Sequence, residues 1–156
     1  MHYSIKSFAP IATQLRNNDN KLVLATGFFD LLHEEHINFL RAAKKAGDIL
    51  IVAVESDERA RVLKGEGRPI ETQSIRLVHL TPYADYLIAL DQDFNNPAAF
   101  ERLIASVRPS VLAVSSHTAH QDKKAKLVEK YGGELRVVYT HNPAVSTTNI
   151  IQQSKL

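Results

Sequence analysis

Apolar runs alternate with amphipathic stretches along most of the chain. KLVLATG (21–27), DILIVAVE (48–55), DYLIAL (85–90), SVLAVSS (110–116) and ELRVVYT (134–140) are almost continuously apolar. A strand with one wet face alternates in character, whereas a strand covered on both faces does not. These runs therefore read as five strands of a parallel sheet. The stretches between them have helical periodicity. EEHINFLRAAKKAG (34–47) places Ile37, Leu40, Ala43 and Phe39 along one stripe and stops at Gly47. NPAAFERLIASVRP (96–109) begins with Asn before a first-turn Pro and ends at Pro109. AHQDKKAKLVEKYGG (119–133) ends in a glycine pair, and STTNIIQQSKL closes the chain. The pattern predicts an α/β fold, a Rossmann-like doubly wound five-stranded parallel sheet with helices on both faces. Residues 1–20 read as a lead-in with a short helix near IATQLRNN, and residues 21–156 as one domain. Right-handed crossovers place a ligand crevice at the C-terminal ends of the strands, near the switch in strand order.

Composition narrows the classes. At 156 residues the chain can bury a substantial core, and 44% hydrophobic with 23% charged residues is ordinary for a globular domain. Nineteen basic against seventeen acidic residues give a net charge of +2, too balanced to propose nucleic acid as a partner. With no cysteine there is no disulfide, thiolate metal site or cysteine nucleophile. No stretch has the apolar length of a signal peptide or a membrane span, so no membrane association and a cytoplasmic location are the expectation.

Three segments that follow strands have phosphate-binding chemistry. In GFFDLLHEEH (27–36) the first strand ends at Gly27, which permits close backbone approach. A helix then starts near His33 and His36, whose i, i+3 spacing sends both rings to one side. Unpaired N–H groups and the positive dipole end suit an anion there. A helix start with two solvent-facing histidines fits the same residues, and no mononuclear metal site is expected. RVLKGEGRPI (61–70) reads as a mobile loop whose Lys64 and Arg68 close over a polyanion, or as a solvated basic turn. VSTTNII (145–151) puts Ser146 and Thr147 where an N-cap belongs, with Ile150 and Ile151 inward. In a doubly wound fold all three segments converge on one edge of the sheet.

Taken together, GFFDLLHEEH and STTNII (146–151) resemble the G-x-F-D-x-x-H-x-G-H and S-T-T-x-I-I patterns of the cytidylyltransferase-like nucleotidyltransferase superfamily. The likeness is nearest to its heptose 1-phosphate adenylyltransferase domains and runs from about residue 21 to 153. It implies transfer of AMP or CMP from a nucleoside triphosphate to a phosphorylated small molecule such as a sugar phosphate, with release of pyrophosphate. It also implies Mg2+ accompanying the triphosphate and a homodimeric assembly. On the matching positions His33, His36 and Lys64 are the implied catalytic groups. Gly27, Phe28, Phe29, Asp30, Arg76, Ser146, Thr147 and Thr148 are the implied nucleotide-binding ones, with Asp30 bracing the first turn.

Two departures stand out. Glu35 occupies the position of the glycine between the histidines. A carboxylate pointing into the site at 6 Å from a phosphate charge would cost about 3 kcal/mol at an effective dielectric near 20. After the fourth strand, VSSHTAH (114–120) replaces a lysine-bearing glycine turn, leaving Ser115, Ser116, His117 and His120 as hydrogen-bonding groups. These departures raise the alternative of a catalytically impaired nucleotide- or phosphometabolite-binding module.

Overall fold

The apolar runs form strands within a residue or two of their expected bounds: β1 (Leu22–Gly27), β2 (Ile49–Val54), β3 (Tyr86–Ala89), β4 (Val111–Ser115) and β5 (Glu134–Tyr139). The computed structural model describes residues 2–142, 144–145 and 147–154. All strand pairs are parallel, in the order β3-β2-β1-β4-β5. The order reverses direction between β1 and β4, which is the switch point of the doubly wound fold.

The two faces of β1 show how the sheet is covered. Leu22 and Leu24 pack with Phe8 and Ala12 of α1 (Ile5–Asn17), Leu103 and Ile104 of α5 (Pro97–Val107) and Val128 of α6 (Gln121–Lys130). Val23 and Ala25 point the other way, onto Leu40 and Ala43 of α2 (Glu34–Lys44) and Leu77 and Leu80 of α4 (Gln73–Leu80). Two remaining helices, α3 (Asp57–Lys64) and α7 (Thr147–Ser154), follow β2 and β5. The segment read as a lead-in supplies α1, whose Phe8 is fully buried, and its Tyr3 bridges to Ile88 in β3. Its apolar face is covered by the same core as the rest of the chain.

Gly47, the expected stop of α2, is there for a packing reason. A Cβ would lie 2.7 Å from both the Lys21 carbonyl oxygen and Val23 Cγ2. Gly47→Ala is therefore expected to destabilise the fold by about 1–3 kcal/mol through overpacking, read as a lower denaturant midpoint at unchanged slope.

The strand pairing opens the site. β1 pairs with β2 along its whole length, from Leu22 to Gly27, but with β4 only at Val23 and Leu24. Past Leu24 the two central strands part, and the crevice forms between their C-terminal ends. No helix among the described residues is long and apolar enough to cross a membrane.

Candidate active site

The crevice is a cavity of about 490 Å³ between the ends of β1 and β4, reaching α2, α3, α6 and α7. His33, His36, Lys64, Thr147 and Thr148 all line it, so the three phosphate-type segments meet at one place. Ser146 lies outside the described residues.

The start of α2 fixes the histidines. His33 is the N-cap, and its Nδ1 accepts the backbone N–H of Glu35 at 3.2 Å. The Nδ1 of His36 accepts the N–H of His33 at 3.3 Å, completing a reciprocal cap made by two imidazoles. A ring that accepts at Nδ1 carries its proton on Nε2 when neutral. The rings stack with centroids 3.7 Å apart and both line the cavity, each keeping an Nε2–H to donate. Burial, with the neighbouring His33 and Lys64 charges, pushes the His36 pKa down to about 3. His33 is lowered in the same direction, chiefly by burial. Both rings are therefore neutral hydrogen-bond donors at physiological pH rather than cations.

The turn before them is strained and tightly held. Phe29 and Leu31 adopt left-handed φ values of 54° and 50°. The Phe29 ring is almost fully buried and occupies the space a Gly27 side chain would need, with its Cε2 3.0 Å from a Cβ built there. Gly27 thus makes room for an aromatic ring as well as bordering the cavity. The Asp30 carboxylate accepts the N–H groups of Ile70 and Glu71 at 2.8 and 2.9 Å, and the Thr147 hydroxyl donates to the Asp30 carbonyl. Asp30 therefore ties the loop beyond α3 and the start of α7 to the first turn, a wider brace than its own turn requires.

Residues 61–64, expected in a mobile loop, form the last turn of α3, and the loop proper begins at Gly65. The helix end carries Lys64 to the cavity, where its ammonium sits 5.1 Å from the Phe28 ring centroid and burial lowers its pKa. Arg68, only 10% exposed, donates from Nε to Asp30 at 3.3 Å and from Nη1 to Thr148 at 3.2 Å. Its Nη2 is buried at the cavity wall and has no partner among the described residues.

Arg76 is placed differently from its expected nucleotide-binding role. It is wholly buried, donating to the Phe28 carbonyl, the Glu71 carbonyl and the Asp57 carboxylate at 2.7, 3.0 and 2.7 Å. It does not line the cavity, and it holds the first turn from behind.

Glu35 borders the cavity, and its carboxylate is engaged by donors of the chain itself. It accepts a hydrogen bond from the Tyr139 hydroxyl and one from the Asn142 N–H at 2.7 Å, and is 7% exposed. The Tyr139 bond, helped by Asn142 and outweighing burial, lowers its pKa, so the group is ionised. The VSSHTAH segment is also knitted to the chain beyond β5. Ser115 Oγ lies 2.7 Å from His117 Nδ1, the His117 and His141 rings are 3.9 Å apart, and Ser116 Oγ accepts the His141 N–H at 2.8 Å. His120 initiates α6 in a left-handed conformation, with no side-chain cap bond.

Glu55, at the end of β2, and Lys124, in α6, also line the cavity, although neither stands in a phosphate-type motif. The signal available for Glu55 was its position at the C-terminal end of a central strand, where this fold binds ligands.

A model of the cytidylyltransferase-like family matches residues 24–153. The chain belongs to that family. Among curated cytidylyltransferase-like relatives, Bifunctional protein HldE of Desulfatibacillum aliphaticivorans is 36% identical over 141 residues, covering 88% of this chain and 28% of that protein. Bifunctional protein HldE of Yersinia pestis (strain Pestoides F) is 38% identical over 145 residues, 91% and 29% respectively. The chain thus spans less than a third of the length of these relatives. A lipopolysaccharide core biosynthesis protein from Thermoplasma volcanium GSS1 superposes with a TM-score of 0.63 at 25% identity, covering 79% of this chain and 98% of that one. A pantoate-beta-alanine ligase from Francisella tularensis shares the fold at a TM-score of 0.63 and 15% identity, over 98% of this chain and 76% of that one.

Proposed function

We propose that this cytidylyltransferase-like domain transfers AMP or CMP from a nucleoside triphosphate to a phosphorylated small molecule such as a sugar phosphate, releasing pyrophosphate. The observation that carries this reading is the reciprocal histidine cap. It aligns two neutral Nε2–H donors at the helix start, where the backbone dipole already favours an anion. In-line attack of an acceptor phosphate oxygen on the α-phosphorus breaks the bond to the pyrophosphate oxygen and needs no covalent enzyme intermediate. The protein's part is then to position the reactants and to stabilise charge that develops on the phosphoryl oxygens. His33 and His36 donate to those oxygens, Lys64 and the unpartnered Arg68 Nη2 neutralise the departing pyrophosphate, and Thr148 joins them from α7.

Magnesium enters this reading as part of the nucleotide substrate. The oxygens of Asp30 and Glu35 are already committed to internal donors, and no ligand cluster for a metal occurs among the described residues. The triphosphate itself would supply most of its ligands.

The alternative of an impaired binding module rests on the VSSHTAH segment and on Glu35 intruding upon the phosphates. The engagement of both its oxygens by Tyr139 and Asn142 weakens that reason. Titration with ATP and CTP in the presence of magnesium tests the binding half of the proposal. Lys64→Ala and His33→Ala are each expected to weaken triphosphate affinity about tenfold or more, by loss of charge-assisted or preorganised donors. Unchanged affinity in both would place the nucleotide elsewhere.

A further inference from the structure

The cavity is lined by two close imidazole pairs, and only one of them can take a proton without losing a hydrogen bond. In His33 and His36 each Nδ1 faces a backbone N–H, which only donates, so a second ring proton would break the cap. His117 Nδ1 instead lies 2.7 Å from Ser115 Oγ. A hydroxyl donates to a neutral ring and accepts from a charged one, so this contact survives protonation. The His141 ring, 3.9 Å from that of His117, makes no hydrogen bond among the described residues. Both rings line the cavity, and His117 is exposed.

The charges around the pair decide when a proton stays. Lys64 from α3, Lys124 from α6, and His33, Glu35 and His36 from α2 line the same cavity. Glu35 is the one carboxylate among these, and its oxygens already have the Tyr139 and Asn142 donors. Of the other charged lining groups, Arg68 pairs with Asp30, and Glu55 has Arg59 beside it. Burial, His141 and Lys64 all lower the His117 pKa, so the empty cavity resists a charge there. A phosphate beside the rings reverses that balance, because an opposite charge favours the protonated form. We propose that His117 and His141 form a phosphate contact that takes up a proton as the anion binds. Where a lysine would hold a fixed charge, the turn after β4 gains a cation only when an anion is there to share it. The inference rests on the transfer reading only for a phosphate entering this cavity, whether from the triphosphate or from the acceptor. Rings this close leave no gap for a nucleobase between them.

Calorimetry on the full chain, repeated in buffers of different ionisation enthalpy, counts the protons bound. The probes are a non-hydrolysable ATP or CTP analogue with magnesium, glycerol 3-phosphate, and the uncharged nucleosides adenosine and cytidine. With a phosphate probe the wild type is expected to take up about half a proton or more near neutral pH. Its affinity should rise at least about threefold from about pH 8 to about pH 6.5. The probe's own second ionisation, near about 6, is common to all variants and cancels between them. His117→Asn should reduce the uptake and the rise, and the double variant with His141→Asn should abolish both. His117→Lys should bind phosphate with little dependence on pH. Melting temperatures check that each variant folds. Whichever phosphate probe shows the uptake identifies the phosphate that the pair meets. Pyrophosphate release is followed in parallel. Uptake without turnover supports the contact and removes the transfer reading, whereas turnover without uptake overturns the contact alone. Uptake unchanged in the double variant, no binding of either phosphate probe, or an equal loss of nucleoside affinity also overturns it.

Discussion

His36→Ala is expected to lower nucleotidyl transfer by about ten- to a thousandfold, the usual loss on removing one preorganised donor to a developing oxyanion. The loss should fall on kcat more than on KM, because the charge on the phosphoryl oxygens grows towards the transition state. The same residue also fixes its neighbour, since His36 Nδ1 accepts the His33 N–H. His36→Asn, which retains an amide donor and acceptor, should therefore recover part of the rate if its amide reaches both groups. Steady-state kinetics of the wild type and both variants decide the matter, and an unchanged kcat in folded His36→Ala would remove the residue from the reaction.

The depressed His36 pKa also has a stability consequence. The folded group is neutral down to about 3, whereas an unfolded histidine takes a proton near 6.5. Between those values the unfolded chain binds more protons, so the stabilising effect of keeping His36 neutral is full above about pH 6.5 and is lost as pH falls towards 3. The slope approaches about 1.4 kcal/mol per pH unit for one such group. Denaturant midpoints measured from pH 7 to pH 4 should fall more steeply in the wild type than in His36→Asn. The lowered pKa of His33 acts in the same direction.

The sheet was legible because burial on both faces leaves continuous apolar runs, and the parallel pairing followed from the helical stretches between them. α1 was read too short, near IATQLRNN, because Pro10 interrupts a helix whose Ile5, Phe8, Ile11, Ala12 and Leu15 all pack against the core. The convergence of His33, His36, Lys64 and Thr147 was readable from topology, since each follows a strand of a doubly wound sheet. Arg76 shows the limit of that reading. Sequence placed it on a helix beside the site, but the buried carbonyls of Phe28 and Glu71 that claim its guanidinium are a matter of packing. Lys124 escaped notice for the same reason in reverse. It stands outside the phosphate-type motifs, and only the fold shows that α6 carries it to the cavity.

The direction of the Glu35 side chain depended on residues more than a hundred positions away, and it reverses what its replacement should do. A glycine there, the residue expected from the resemblance, would be favourable if the carboxylate intruded upon phosphates. Instead Glu35 links the first turn of α2 to the segment after β5, through the Tyr139 hydroxyl and the Asn142 N–H. Its negative charge also lies at the positive end of the helix. Glu35→Gly removes two hydrogen bonds to a charged acceptor and adds a glycine penalty of up to about 1 kcal/mol, for a total loss on the order of 3 kcal/mol. The chain from Asn142 to Thr147 leads directly into α7, so the loosened segment should also weaken triphosphate binding rather than tighten it. Glu35→Gln, which can still accept from one donor, should fall between the two. Thermal melts with and without ATP or CTP and magnesium separate the effects. A glycine variant that melts with the wild type and binds triphosphate more tightly would mean that the carboxylate opposes the nucleotide after all.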